Sequence, residues 1–220
     1  MMDDAGIDRA VIAPQDREIA VCNIDGNQRI LEMAEQFGER FIPACSVNPW
    51  LGREGNDIFS AAIEAGAKLL VLAPALQGFN LGDELTDELL ALAGELSVPV
   101  YIHTGPHSSS APSQLLLVAE RHLSTHFILG HCGSSDYSHD MPAVFSVAPK
   151  NVWFEISLVR PWAMASYKEM ADPSRFIFGS YAPRNDPRLE LQYLNREMPR
   201  ERYPQVYGDN LLGLFQGAKK

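Results

Sequence analysis

Short apolar runs recur along the chain, most of them closed by proline or glycine, and stretches of helical period lie between them. The runs lie at residues 9–14, 41–47, 68–73, 98–103, 127–130, 151–156 and 175–179. Four to eight apolar residues bounded by Pro or Gly is the pattern of a buried strand. The run at 68–73 is apolar on both faces, which predicts a parallel sheet covered on both sides. The run at 41–47 contains Pro43, which cannot donate to a ladder. Between the runs, Ile30, Leu31, Ala34 and Phe37 share one face of a predicted helix over 27–37, which Gly38 stops. Ile58, Phe59, Ala62 and Ile63 do the same over 54–65. Leu85, Leu89, Leu92 and Leu96 repeat at four, three and four residues, and Ser113 caps a helix reaching residue 122. Further helices are predicted near 142–148, 162–170, 189–194 and 211–215.

The midpoints of the runs stand 24–30 residues apart, the length of one strand–helix unit. No glycine-rich G-x-G-x-x-G follows an early strand, as a doubly wound dinucleotide fold would require. The even spacing predicts one domain over 1–220, a TIM-like (β/α) barrel. A closed barrel needs eight strands. About seven are visible, so the barrel is incomplete, with the first strand missing. The strands flanking the gap would carry unpaired backbone groups. This predicts a homo-oligomer, or a seam covered by terminal residues.

The formal net charge of −10 argues against a nucleic-acid partner, which needs clustered Lys and Arg. Cys22, Cys45 and Cys132 form no C-x-x-C pair, which fits a reducing compartment. No apolar run approaches the length of a membrane span, and the acidic start is unlike a signal peptide. These readings place the protein in the cytoplasm, with no membrane partner.

The chemistry collects where two runs end. His103 closes one and His131 follows the next, 28 residues later. Parallel strands would deliver both imidazoles to one edge, the carboxyl ends, where α/β folds keep their active sites. His107 lies in the loop after His103. Asp136, His139 and Asp140 lie in the polar loop after His131. Each is a candidate to complete a site or a solvated loop residue. Glu155, at the end of the sixth run, either faces the mouth or pairs with Arg160 or Arg175. His122 and His126 flank the opposite end of the strand before His131. Cys132 has no assignable base or oxyanion group for a nucleophilic role. Trp50 and Trp162 could wall a pocket, but aromatics in such positions are usually core.

Taken in order, D-D-A-G-I-D-R-A-V-I at 3–12, F-I-P-A-C-S-V-N-P at 41–49, I-H-T-G at 102–105 and G-H-C-G at 130–133 resemble the amidohydrolase-related family. So do N-V-W-F-E at 151–155, R-F-I-F-G-S at 175–180 and G-D-N-L-L-G-L-F at 208–215. The resemblance is to the branch that includes aminocarboxymuconate-semialdehyde decarboxylase. It implies a TIM barrel with a divalent metal such as zinc at the carboxyl ends of its strands. Its ligands come from a His-x-His on the first strand, histidines on the fifth and often the sixth, and an Asp on the eighth. His103 and His131 stand at the fifth and sixth positions. Three departures follow. The chain begins inside the helix after the first strand, so the His-x-His is absent. The eighth-strand Phe-Gly-Ser-Asp reads Phe178-Gly-Ser-Tyr181. The fourth-strand Lys-x-His-Pro reads Val71-Leu-Ala-Pro74.

A catalytic zinc takes about three protein ligands and a water, so the resemblance implies weak or absent metal here. The expectation is a metal-dependent hydrolase of a small carboxylated molecule with a depleted metal site. Its metal ligands would be His103 and His131, with His107, Asp136 and Tyr181 toward the substrate. The alternatives are a decarboxylase of the same family, or a catalytically impaired homologue acting as a binding or structural protein.

Overall fold

In the computed structural model the described residues are 1–105, 107–134 and 137–216. In chain order the elements are β1 (Ala10–Ile12), α1 (Asp16–Ala20), α2 (Asn23–Phe37), β2 (Phe41–Ser46), α3 (Arg53–Glu64), β3 (Leu69–Leu72), α4 (Pro74–Gln77) and α5 (Asp87–Glu95). There follow β4 (Val100–His103), α6 (Pro112–Arg121), β5 (Phe127–Gly130), α7 (Met141–Val147), β6 (Val152–Glu155), α8 (Pro161–Met170), β7 (Phe176–Ile177), α9 (Pro187–Glu197) and α10 (Asp209–Gln216). The strands form one seven-stranded sheet in the order β1 to β7, and every pairing is parallel. The sheet curls into a half-barrel that does not close. Pro43 sits in β2, opposite Ile12 of the end strand β1.

Two apolar clusters mark the two faces. Strand residues Cys45, Leu70, Leu72, Val100, Ile102, Phe127, Leu129, Val152, Phe154 and Phe176 pack with the helices, among them Phe59 of α3, Leu90 of α5, Leu115 of α6 and Met164 of α8. Their alternates Val11, Ala44, Leu69, Val71, Tyr101, Ile128, Trp153 and Ile177 form the inner cluster, which Leu211, Leu214 and Phe215 of α10 complete. Side chains on a strand alternate between faces. One step along the inner register from Tyr101, Ile128, Trp153 and Ile177 come His103, Gly130, Glu155 and Gly179. The inner face therefore changes from apolar to polar at the carboxyl ends.

The open edge at β7 is covered from within the chain. On the side away from β6, the Phe178 N–H donates to Val206 O at 2.9 Å. Asn210 Nδ2 donates to Phe176 O at 2.7 Å. The groups that an eighth strand would engage are thus taken by the segment entering α10.

Candidate functional site

The two histidines are brought together by cross-links between the ends of β4 and β5. Thr104 Oγ1 donates to Gly130 O at 2.5 Å and accepts from Gly133 N–H at 3.1 Å. The chain after β5 then turns through left-handed backbone at His131 (φ 65°), Cys132 (φ 43°) and Gly133 (φ 73°). A histidine and a cysteine in that region store strain, which persists where surrounding contacts hold it. Gly105 is part of the hold, since a Cβ there would stand 2.4 Å from Gly133 O.

The outcome is a chain of hydrogen bonds. His103 Nδ1 lies 2.9 Å from His131 Nε2. His131 Nδ1 lies 2.7 Å from Ser157 Oγ. The Ser157 hydroxyl donates to Glu155 Oε2 at 2.9 Å. Glu155, 4% exposed, takes three further donors. These are Tyr101 O–H at 2.8 Å, His131 N–H at 2.9 Å and Ser157 N–H at 2.7 Å, the last on Oε1. The carboxylate fits only because residue 179 is glycine; a Cβ there would stand 1.9 Å from Glu155 Oε1. Glu155 thus faces the mouth rather than pairing with Arg160 or Arg175. Arg175 donates instead to the carbonyls of Ala148, Pro149 and Val152.

Burial drives His131 down to about 4. Burial, and the neighbouring His131, drive His103 down to about 3. Both imidazoles are therefore neutral near neutral pH. Burial and the adjacent Glu155 carboxylate push the Tyr101 hydroxyl well above its ordinary value, so it serves as a donor. Tyr181, at φ 53°, sets its ring edge-on to His131 at 4.8 Å between centroids and to His103 at 6.4 Å. The Arg184 guanidinium lies over the Tyr181 ring at 5.5 Å and pairs with Asp16. Asp16 and Arg184 both act on the charge of His103.

Of the other candidates, His107 is exposed, and its carbonyl accepts from Ser110. Asp136 lies outside the described residues. His139 and Asp140 are exposed, and the His139 ring lies 6.4 Å from that of Trp162. His122 is bonded to Asp87, and His126 rests on Trp153. Trp50 and Trp162 are not core residues, being 63% and 62% exposed. Trp50 instead donates Nε1–H to Gly78 O at 3.2 Å. The sequence patterns above do not single out Ser157, Tyr101 or Arg184. Period-two alternation was the available signal for two of them, since Tyr101 precedes His103 and Ser157 follows Glu155 by two residues.

The two histidines do not fit a shared metal as they stand. Two imidazoles on one tetrahedral zinc, with bonds near 2.0–2.1 Å, hold their nitrogens about 3.3 Å apart, each offering a lone pair. Here the facing nitrogens are 2.9 Å apart and share a proton. The second nitrogen of His131 is held by Ser157. Among the described residues no three His, Cys, Asp or Glu side chains are grouped to hold a metal ion.

Residues 2–210 match the profile of a family described as Amidohydrolase. No curated protein matches the chain by sequence. Among solved structures, an uncharacterised TIM-barrel protein from Bordetella bronchiseptica is similar, with TM-score 0.79 and 15% identity over 100% of this chain and 81% of the other. A 2,6-dihydroxybenzoate decarboxylase from Rhizobium gives 0.77 and 15% over 98% and 86%. A 5-carboxyvanillate decarboxylase from Novosphingobium aromaticivorans, complexed with manganese and 4-hydroxy-3-methoxy-5-nitrobenzoic acid, gives 0.74 and 18% over 98% and 78%. At these identities the likeness is one of fold.

Proposed function

The chain belongs to the amidohydrolase family, and from that premise we propose that it hydrolyses a small carboxylated molecule at the mouth of the half-barrel. In this reading the metal site is depleted and His103 is the general base, a weak one because burial and His131 hold it at about 3. The observation that carries it is the state of His103. Its Nδ1 is engaged by His131, while Nε2 has no hydrogen-bond partner among the described residues and is left for substrate. Nε2 takes a proton from water as the water oxygen bonds to the substrate carbonyl carbon. It returns that proton to the leaving oxygen as the carbon–oxygen bond breaks. Arg184, over the ring of Tyr181, exchanges its Asp16 partner for the substrate carboxylate.

A second reading is decarboxylation, favoured by the two decarboxylases that share the fold. There the same imidazole, bare at Nε2, would first take the proton of the substrate's carboxyl group and then deliver it to carbon as the carbon–carbon bond breaks and carbon dioxide leaves.

The test is to assay the purified protein on ester and lactone substrates with and without a carboxylate, and on 2,6-dihydroxybenzoate, with metal content measured by mass spectrometry. Hydrolysis should fall about 100-fold or more in His103→Gln. Arg184→Ala should raise KM for carboxylated substrates and leave it unchanged for neutral ones. Bound zinc or manganese should be well below one equivalent, rising modestly in Tyr181→Asp. Carbon dioxide release without hydrolysis would replace the first reading with the second. Stoichiometric metal, with activity lost on chelation, would refute the depleted site. No turnover of any substrate would leave a binding or structural homologue.

A further inference from the structure

We infer that Ser157 and Glu155 are positioning residues that set the proton on both histidines, so that His103 meets the mouth with a bare Nε2 lone pair rather than an N–H. The bonds are ordered outward from the carboxylate. Two backbone N–H groups, which can only donate, each hold one Glu155 oxygen. Tyr101 adds a third donor. A carboxylate has no proton to give, so the Ser157 hydroxyl proton lies on its bond to Glu155 Oε2. The Ser157 oxygen, 2.7 Å from His131 Nδ1, is then left to accept, and Nδ1 carries the proton. A neutral imidazole carries one N–H, so His131 Nε2 is a lone pair. That lone pair, 2.9 Å from His103 Nδ1, fixes the proton of His103 on Nδ1. Its Nε2 is bare.

The direction of the whole wire therefore depends on one buried acceptor. Were Glu155 to donate, every bond would reverse and His103 would present an N–H to the substrate, an acid in place of a base. Gly179 keeps the acceptor in place by admitting the carboxylate against the backbone. This assignment concerns the free protein. Only its kinetic consequence rests on the reading of His103 as a base.

The experiment is a long-range proton–nitrogen correlation spectrum of protein labelled with ¹⁵N in its histidine rings, at pH 7.5. His103→Gln and His131→Gln variants assign the two rings. Both should show protonated Nδ1 and unprotonated Nε2. Glu155→Gln must set its amide NH2 against one of the two backbone N–H groups that hold the carboxylate, so the fixed direction should be lost and both rings should become mixtures. Ser157→Ala should leave them as mixtures, with thermal melts confirming that each variant is folded. In the kinetic arm, Ser157→Ala should lower kcat about 10- to 100-fold with little change in KM, the usual cost of losing a partner that orients a histidine. Nε2–H on either wild-type ring would overturn the assignment whatever the activity. So would Nδ1–H tautomers in folded Ser157→Ala and Glu155→Gln indistinguishable from wild type. Correct tautomers in a protein without turnover would leave the assignment standing and sink only the function.

Discussion

Gly130 is where the strand register and the site meet, and its replacement by alanine isolates one contact. Its backbone, at φ −69° and ψ 139°, suits any residue, so alanine brings no backbone strain. The obstacle is Tyr101. A Cβ at residue 130 would stand 2.4 Å from both Cζ and Oη of that ring and 2.6 Å from Cε1. Carbon atoms rest about 3.5–4.0 Å apart, so the ring must move by an ångström or more. Overpacking of this kind costs about 1–3 kcal/mol. The displaced hydroxyl also leaves Glu155, and a hydrogen bond to a charged group is worth about 1.5–3 kcal/mol. With partial relaxation, Gly130→Ala should destabilise by about 2–4 kcal/mol.

In a Tyr101→Leu background the three obstructing atoms are gone. The same substitution should then be neutral or stabilising by up to about 0.4–1 kcal/mol, because alanine restricts the unfolded chain more than glycine does. Urea unfolding of the four proteins closes the double-mutant cycle. At about 2–4 °C per kcal/mol for a chain of this size, thermal melts should show a fall of roughly 4–16 °C in the first background and none in the second. An equal cost in both backgrounds, or no cost in the first, would refute the steric account.

Two further predictions concern stability at the site and at the seam. The folded-state pKa values of His103 and His131, about 3 and about 4, lie below the ordinary 6.5, so the unfolded chain binds more protons below that value. Stability should be full above pH 6.5 and fall as pH drops toward 5, with a shallower slope in His131→Asn; urea midpoints that stay flat from pH 7 to pH 5 would contradict this. Asn210→Ala removes donors to Pro173 O and Phe176 O, so it should cost about 1–3 kcal/mol and, by baring the edge of β7, increase self-association in light scattering.

Much of this architecture was legible along the chain. The seven runs at even spacing announced the parallel half-barrel, its strand order and the edge to which His103 and His131 would come. Strand and helix periods, and the Pro and Gly that end them, are properties of contiguous residues, so the sequence carries them openly. What only the tertiary structure decided depends on distances between segments far apart in the chain. The two imidazoles face each other at 2.9 Å, closer than a shared zinc allows, because Thr104 and the left-handed turn at His131 set their approach. Glu155 takes Tyr101, 54 residues away, rather than an arginine, because strand register and Gly179 admit its carboxylate to the inner face. Arg184 pairs with Asp16 across 168 residues. Trp50 and Trp162 stand in solvent, because hydrophobicity alone does not say which side of an element meets the core. Local pattern sets which residues share a face; register and curvature then decide which of those side chains touch.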